Sequence, residues 1–308
     1  MLRGLILALW VCPLMSPVMA GDIAFVTSQN AGSVSIVDLD SGTVRATVPV
    51  AGAPAPVAYD AASGRAYVVS AETGALTVLD TKGKVLHRAD LGAGSFGIAV
   101  GARGLFVTDW YGARLLALTV MGEQIWAVPT GKAPAGVALS DDQQIVAVAD
   151  RDDNKLSAYD AETGKILWRA AVGTHPYAIA FHAGRFWTTD VQSNSVSVIG
   201  RDGAALGRLT VGDHPYGIAF AGGRGFVTDQ YASTVSVFDP ATLAVTATIR
   251  VDDYPEGIAP LSHGRAVALV NWDSDTLMMI DAATLEVTRS IDVPSGPRSF
   301  GSFVGPDF

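Results

Sequence analysis

Cysteine is nearly missing. The only one, Cys12, lies in the N-terminal apolar stretch of the 308-residue chain, so the remainder can form no disulfide and use no thiol. Clusters of Lys and Arg are also missing, and with a net charge of −9 the chain offers no surface for neutralising phosphates. Nucleic acid is therefore excluded as an expected partner. The N-terminal apolar run, Leu5 to Met15, is broken by Pro13 and falls short of the roughly 20 residues of a spanning helix. No helical apolar face persists beyond a turn. Three catalytic signatures are absent as well: the phosphate-cradling Gly-x-x-x-x-Gly-Lys, the nucleophile elbow and His-Glu-x-x-His.

What is present begins with MLRGLILALWVCPLMSPVMA. One arginine, a short apolar run and a small-residue exit lay out a secretory signal peptide with cleavage expected after Ala20. Val11 stands where a lipid-anchor signal would want a small residue. Residues 21 to 308 are then expected in the periplasm or outside the cell, with no membrane span after cleavage and as a monomer. Their scattered charges read as a solvated surface.

The rest of the chain repeats itself. An apolar triplet closes at Ser28, Ser70, Asp109, Asp150, Asp190, Asp229 and Asn271, spaced by 42, 39, 41, 40, 39 and 42 residues. Ten residues beyond each, a second strand ends at Asp38, Asp80, Thr119, Asp160, Gly200, Asp239 and Asp281. Within a copy the apolar period is two, as in Val235-Ser236-Val237-Phe238, bounded by Gly, Asp, Ser and Asn. Four short strands in about forty residues is one propeller blade, so the expected fold is an all-β, seven-bladed propeller filling residues 21–308. The chain opens on a second strand, Ile23–Thr27, and ends on an unpartnered first strand, Gly296–Phe303. Pairing the two completes the N-terminal blade, closes the ring and removes free edges.

The repeat resembles the YVTN-type propellers: Phe226-Val227-Thr228-Asp229 and Phe25-Val26-Thr27-Ser28 stand where that family has Tyr-Val-Thr-Asn, after Gly212-x-x-Pro215-x-Gly217. Asp109, Asp190 and Asp229 lean toward NHL repeats, and streptogramin-lyase-like propellers share the pattern. Tyr159 to Trp168 looks like the blade motif of pyrroloquinoline-quinone enzymes, but only Ile125-Trp126 echoes its tryptophan. Trp168 therefore reads as blade packing, with the docking ring of that family largely missing. The resemblance implies the fold and leaves the activity open.

The resemblance also implies that two rings of residues share one mouth of the channel. Before the turn-proline position, which is Ser95 in one blade, the blades carry Ala53, Gly94, Ala133, His175, His214, Tyr254 and Gly296. After it they carry Ala55, Phe96, Ala135, Tyr177, Tyr216, Glu256 and Arg298. The turn after the triplet adds Trp110-Tyr111, Arg151-Asp152, Gln230-Tyr231 and Trp272-Asp273. Aromatic walls with a few polar groups suit a small ligand or a protein hot spot. His175, His214 and Glu256 are candidate ligands for a divalent metal, with Asp190 or Asp229 in reserve. The bland alternatives are a His-Pro loop and an Asp bonded to its own backbone. His182 and His263 are expected on the opposite face, in solvent. No cofactor is called for.

The functional expectation is a non-enzymatic propeller binding a protein partner or small ligand at this mouth. Two alternatives stand beside it: a metal-dependent lyase resembling streptogramin lyase, with His175 or His214 as base, and an accessory propeller of an amine- or quinone-oxidising system. If the mouth residues are exposed, replacing His175, His214 and Tyr216 by Ala should leave folding nearly intact.

Overall fold

The computed structural model describes residues 21–307; the expected signal segment and Cys12 lie outside the described residues. The chain folds into seven four-stranded antiparallel sheets. Blades two to seven are each built from consecutive strands, over residues 54–90, 95–129, 134–171, 176–210, 215–250 and 255–292. Blade one joins Val304–Pro306 to Asp22–Ser28, Ser33–Asp38 and Thr43–Pro49. The expected ring closure is therefore present. Two single-turn 3-10 helices, Arg151–Asp153 and Val191–Ser193, lie in post-triplet turns.

A blade is sandwiched between two others, so both faces of its middle strands are buried. In Arg224–Asp229, Phe226 enters the core shared with the following blade and Val227 the core shared with the preceding one. That is why the triplets read as apolar runs. The outermost strand faces solvent on one side, and Val245–Arg250 accordingly alternates half-buried and exposed. Neighbouring blades are also tied by donors on these outer strands. Trp126 Nε1 donates to Glu162 O at 2.9 Å, and Trp168 Nε1 to Arg201 O at 2.9 Å. His87 Nε2 meets Met121 O at 3.0 Å, while Arg289 donates to Asp40 O and Ser41 O at 2.9 Å. The docking contact that looked largely missing is thus made at four junctions, twice by residues other than Trp.

Two repeated hydrogen bonds build the mouth. The residue before each proline is left-handed, from Ala53 (φ 60°) through His175 (φ 55°), His214 (φ 54°) and Tyr254 (φ 61°) to Gly296 (φ 71°). This turn aims its carbonyl at the amide after the triplet: His175 O accepts from Val191, His214 O from Gln230 and Tyr254 O from Trp272, at 2.8–3.0 Å. All seven blades make this bond, which brings the two rings to one face. The triplet threonine supplies the second bond, across blades: Thr27 to Ala55 O, Thr108 to Ala135 O, Thr189 to Tyr216 O and Thr228 to Glu256 O, at 2.7–2.9 Å. Each fixes the residue that follows a proline of the next blade.

The closing segment departs from the repeat. Only Val304–Pro306 forms a regular ladder; before it, Val57 donates to Phe300 O at 2.9 Å, Phe300 to Ala55 O at 3.1 Å and Tyr59 to Ser302 O at 2.7 Å. The chain end therefore staples blade one to blade two and carries Phe300 toward the channel axis. Gly301, at φ 120° against Val57 O, has no room for a side chain.

Candidate functional site

The inner strands start at the mouth, so their second positions form a layer just inside it. There the structure brings Tyr177, Tyr216, Glu256 and Arg298 together with Phe96 and Phe300. Phe300 packs at 5.4 Å from Phe96, 5.1 Å from Tyr177 and 5.7 Å from Tyr216, centroid to centroid. Glu256 is fully buried. Arg298 Nη2 donates to its Oε1 at 3.0 Å while Nε faces Oε2 at 2.7 Å, off the hydrogen-bond axis. Gln230 Nε2 donates to Oε1 at 2.8 Å. Burial pushes the Glu256 carboxyl up to about 7, against the pull of Arg298 and Gln230. Burial, with Glu256 nearby, also raises the Tyr216 phenol well above its ordinary value.

Above this layer Trp272 covers the pair, its ring 4.5 Å from the Arg298 guanidinium carbon. Arg151 lies 5.5 Å from the Trp110 ring, which meets Phe96 edge-on at 5.3 Å. His214 stacks on Tyr231 at 3.8 Å and pairs through Nδ1 with Asp213 at 2.9 Å. Tyr231 in turn reaches Tyr254 at 5.7 Å. Burial and Tyr231 push the Tyr254 phenol up to about 12. His175 is half-buried with Nδ1 unpartnered, and burial, then Arg151, lowers its pKa. Tyr231 and Tyr111 stand out as exposed rings, 57% and 81% accessible.

Two predicted residues lie elsewhere. Asp190 and Asp229 are fully buried inside their blades. Asp190 Oδ2 accepts from Ser195 at 2.9 Å and Ser197 at 2.7 Å, and Asp229 Oδ2 from Thr234 at 3.0 Å and Ser236 at 2.7 Å. They hold strands together. His175 and His214 turn to different neighbours, and among the described residues no three His, Cys, Asp or Glu side chains converge as a metal-holding group. Tyr216 is buried, 5% accessible, so the exposure on which the expected tolerance of its removal rests is absent. His263 is exposed, whereas His182 stacks on Phe220 at 4.1 Å and lines the channel.

Sequence reasoning missed Phe300 and the part played by Gln230. Phe300 takes the place of the repeat's isoleucine next to Ser299 and Gly301, a departure that signals an irregular strand. Gln230 follows a triplet Asp where the other Asp-ending triplets are followed by Trp110, Arg151 and Val191.

Residues 30–182 match the family model described as PQQ_2, outer membrane protein assembly factor BamB. This span includes the docking tryptophans Trp126 and Trp168. No curated protein matches the chain. Among solved structures, a functionally unknown protein from Desulfotomaculum acetoxidans is similar at 13% identity and TM-score 0.76, over 89% of this chain and 98% of that one. Hydrazine synthase of Kuenenia stuttgartiensis is similar at 15% identity and TM-score 0.72, over 90% and 100%. A streptogramin B lyase is similar at 12% identity and TM-score 0.70, over 89% and 88%. The chain is thus a seven-bladed β-propeller with a BamB-like repeat region over residues 30–182.

Proposed function

We propose that this is an exported, periplasmic, non-enzymatic propeller that binds a partner protein at the mouth formed by blades five to seven. One observation carries the reading. Seven equivalent left-handed positions ring the mouth, and blades one to four fill them with Gly or Ala while blades five, six and seven hold His175, His214 and Tyr254. Any non-glycine residue at positive φ costs of order 1–3 kcal/mol, and Ala53 and Ala133 show that the turn asks for no larger side chain. The same arc carries Tyr231, Trp272 and the covered Arg298, the residue types of a binding hot spot. A family model named for an assembly factor supports a scaffold role.

A lyase would need a base and a cation in one pocket. The separate surroundings of His175 and His214 favour binding instead.

Site-specific photo-crosslinking in intact cells tests the reading. A benzophenone side chain in place of Tyr231 or Trp272 should give one discrete higher-mass adduct, and one in place of Leu206, on the outer rim, should not. Equal adducts from all three positions, or none from the mouth, would reject it.

A further inference from the structure

Behind the mouth lies a second compartment. The later halves of the inner strands surround a cavity of about 410 Å³. Because these strands start at the mouth, the cavity opens on the opposite face. Phe300, packed against Phe96, Tyr177 and Tyr216 of the mouth layer, also lines this cavity. Most of its lining side chains are apolar, with Ile98, Val137, Ile179, Ile218 and Ile258 at matching positions of five blades, while Tyr59, His182 and Ser302 are polar. His182 is its one side chain able to carry charge near neutral pH, and burial lowers that group's pKa. The His182 ring lies 4.1 Å from Phe220 and tilted by 5°, a flat plate beside the opening.

We propose that this lower half of the channel is a binding site for a flat, uncharged, mostly apolar small molecule, the size of a two- or three-ring aromatic. Volume and lining fall in the range of small-molecule pockets. An ionised ligand would enter with no countercharge, at a large desolvation cost. The inner strands pair with a neighbour on one edge only, so their channel edges add backbone donors and acceptors for one or two polar atoms. The site does not depend on what the mouth binds.

The probe is N-phenyl-1-naphthylamine, uncharged and carrying one N–H, titrated into the purified protein while its fluorescence is followed. The expected result is saturable binding of one probe per chain. Ala138 and Ala180 line the cavity and are half-exposed to it, so Ala180→Phe or Ala138→Phe should fill it and weaken binding at least tenfold. Circular dichroism checks the fold of each, and either variant suffices if the other misfolds. The proposal is overturned if the probe does not saturate or if folded filling variants bind as before. It is overturned equally if Trp272→Ala, at the mouth, abolishes binding while Ala180→Phe leaves it intact.

Discussion

Replacing Asp190 by Asn should change how stability depends on pH. Burial, against the bonds from Ser197 and Ser195, pushes the Asp190 carboxyl from 3.8 up to about 6. The folded state therefore holds its proton more tightly than the unfolded state. This contribution to stability is largest below about pH 4 and is lost as pH rises through about 6. A displacement of roughly two units is about 3 kcal/mol at 1.36 kcal/mol per unit. Asn271, at the equivalent position of blade seven, is also fully buried and donates to Thr276 Oγ1 at 3.0 Å, so the fold accepts an amide there. Urea unfolding of wild type and Asp190→Asn at pH 4, 5, 6 and 7 measures the effect. Between pH 4 and 7 the variant should gain about 2–3 kcal/mol relative to wild type, whatever its constant offset. Parallel curves would refute the assigned ionisation and the cost of that buried charge.

Asp150 and Asp229, also raised to about 6 by burial, should give the same relative gain when changed to Asn, read by the same titration. Glu256→Ala leaves Arg298 without its acid and should cost about 3–5 kcal/mol in urea, with Glu256→Ala/Arg298→Ala recovering part of the loss. Trp168→Phe removes the donor to Arg201 O but keeps a ring on the adjoining blade, so it should cost about 1 kcal/mol. Calcium, magnesium and zinc should leave the Tm unchanged, and elemental analysis of protein purified without chelator should find no stoichiometric metal; a metal lost on changing His175 and His214 would revive the lyase reading.

Fold and site differed in how openly the sequence displays them. Blades show because each repeats the same local demands, an apolar strand buried on both faces and a left-handed turn, with a threonine bridge added in four of the seven. Ring closure shows because the chain starts and stops mid-blade. The closing segment hid its course, since Phe300 reaches blade two through backbone bonds no side-chain pattern announces. Asp190 and Asp229 were misplaced for a related reason. A short acid at a strand end has the same sequence appearance whether it faces the channel or the hydroxyls of the neighbouring strand in its own blade. The His87 and Arg289 docking contacts escaped notice because only a donor is required there, and the motif names tryptophan.

The most direct test of the mouth as a recognition surface is Tyr254→Gly, read for stability and for crosslinking from position 231 in the same preparations. Glycine suits the φ of 61° and relieves backbone strain of order 1–3 kcal/mol, less up to about 1 kcal/mol for its greater freedom in the unfolded chain, which offsets the lost contact with Tyr231. The Tm should stay within a few degrees of wild type while the adduct disappears. A large fall in Tm with the adduct retained would mean that Tyr254 serves the fold and would contradict the account.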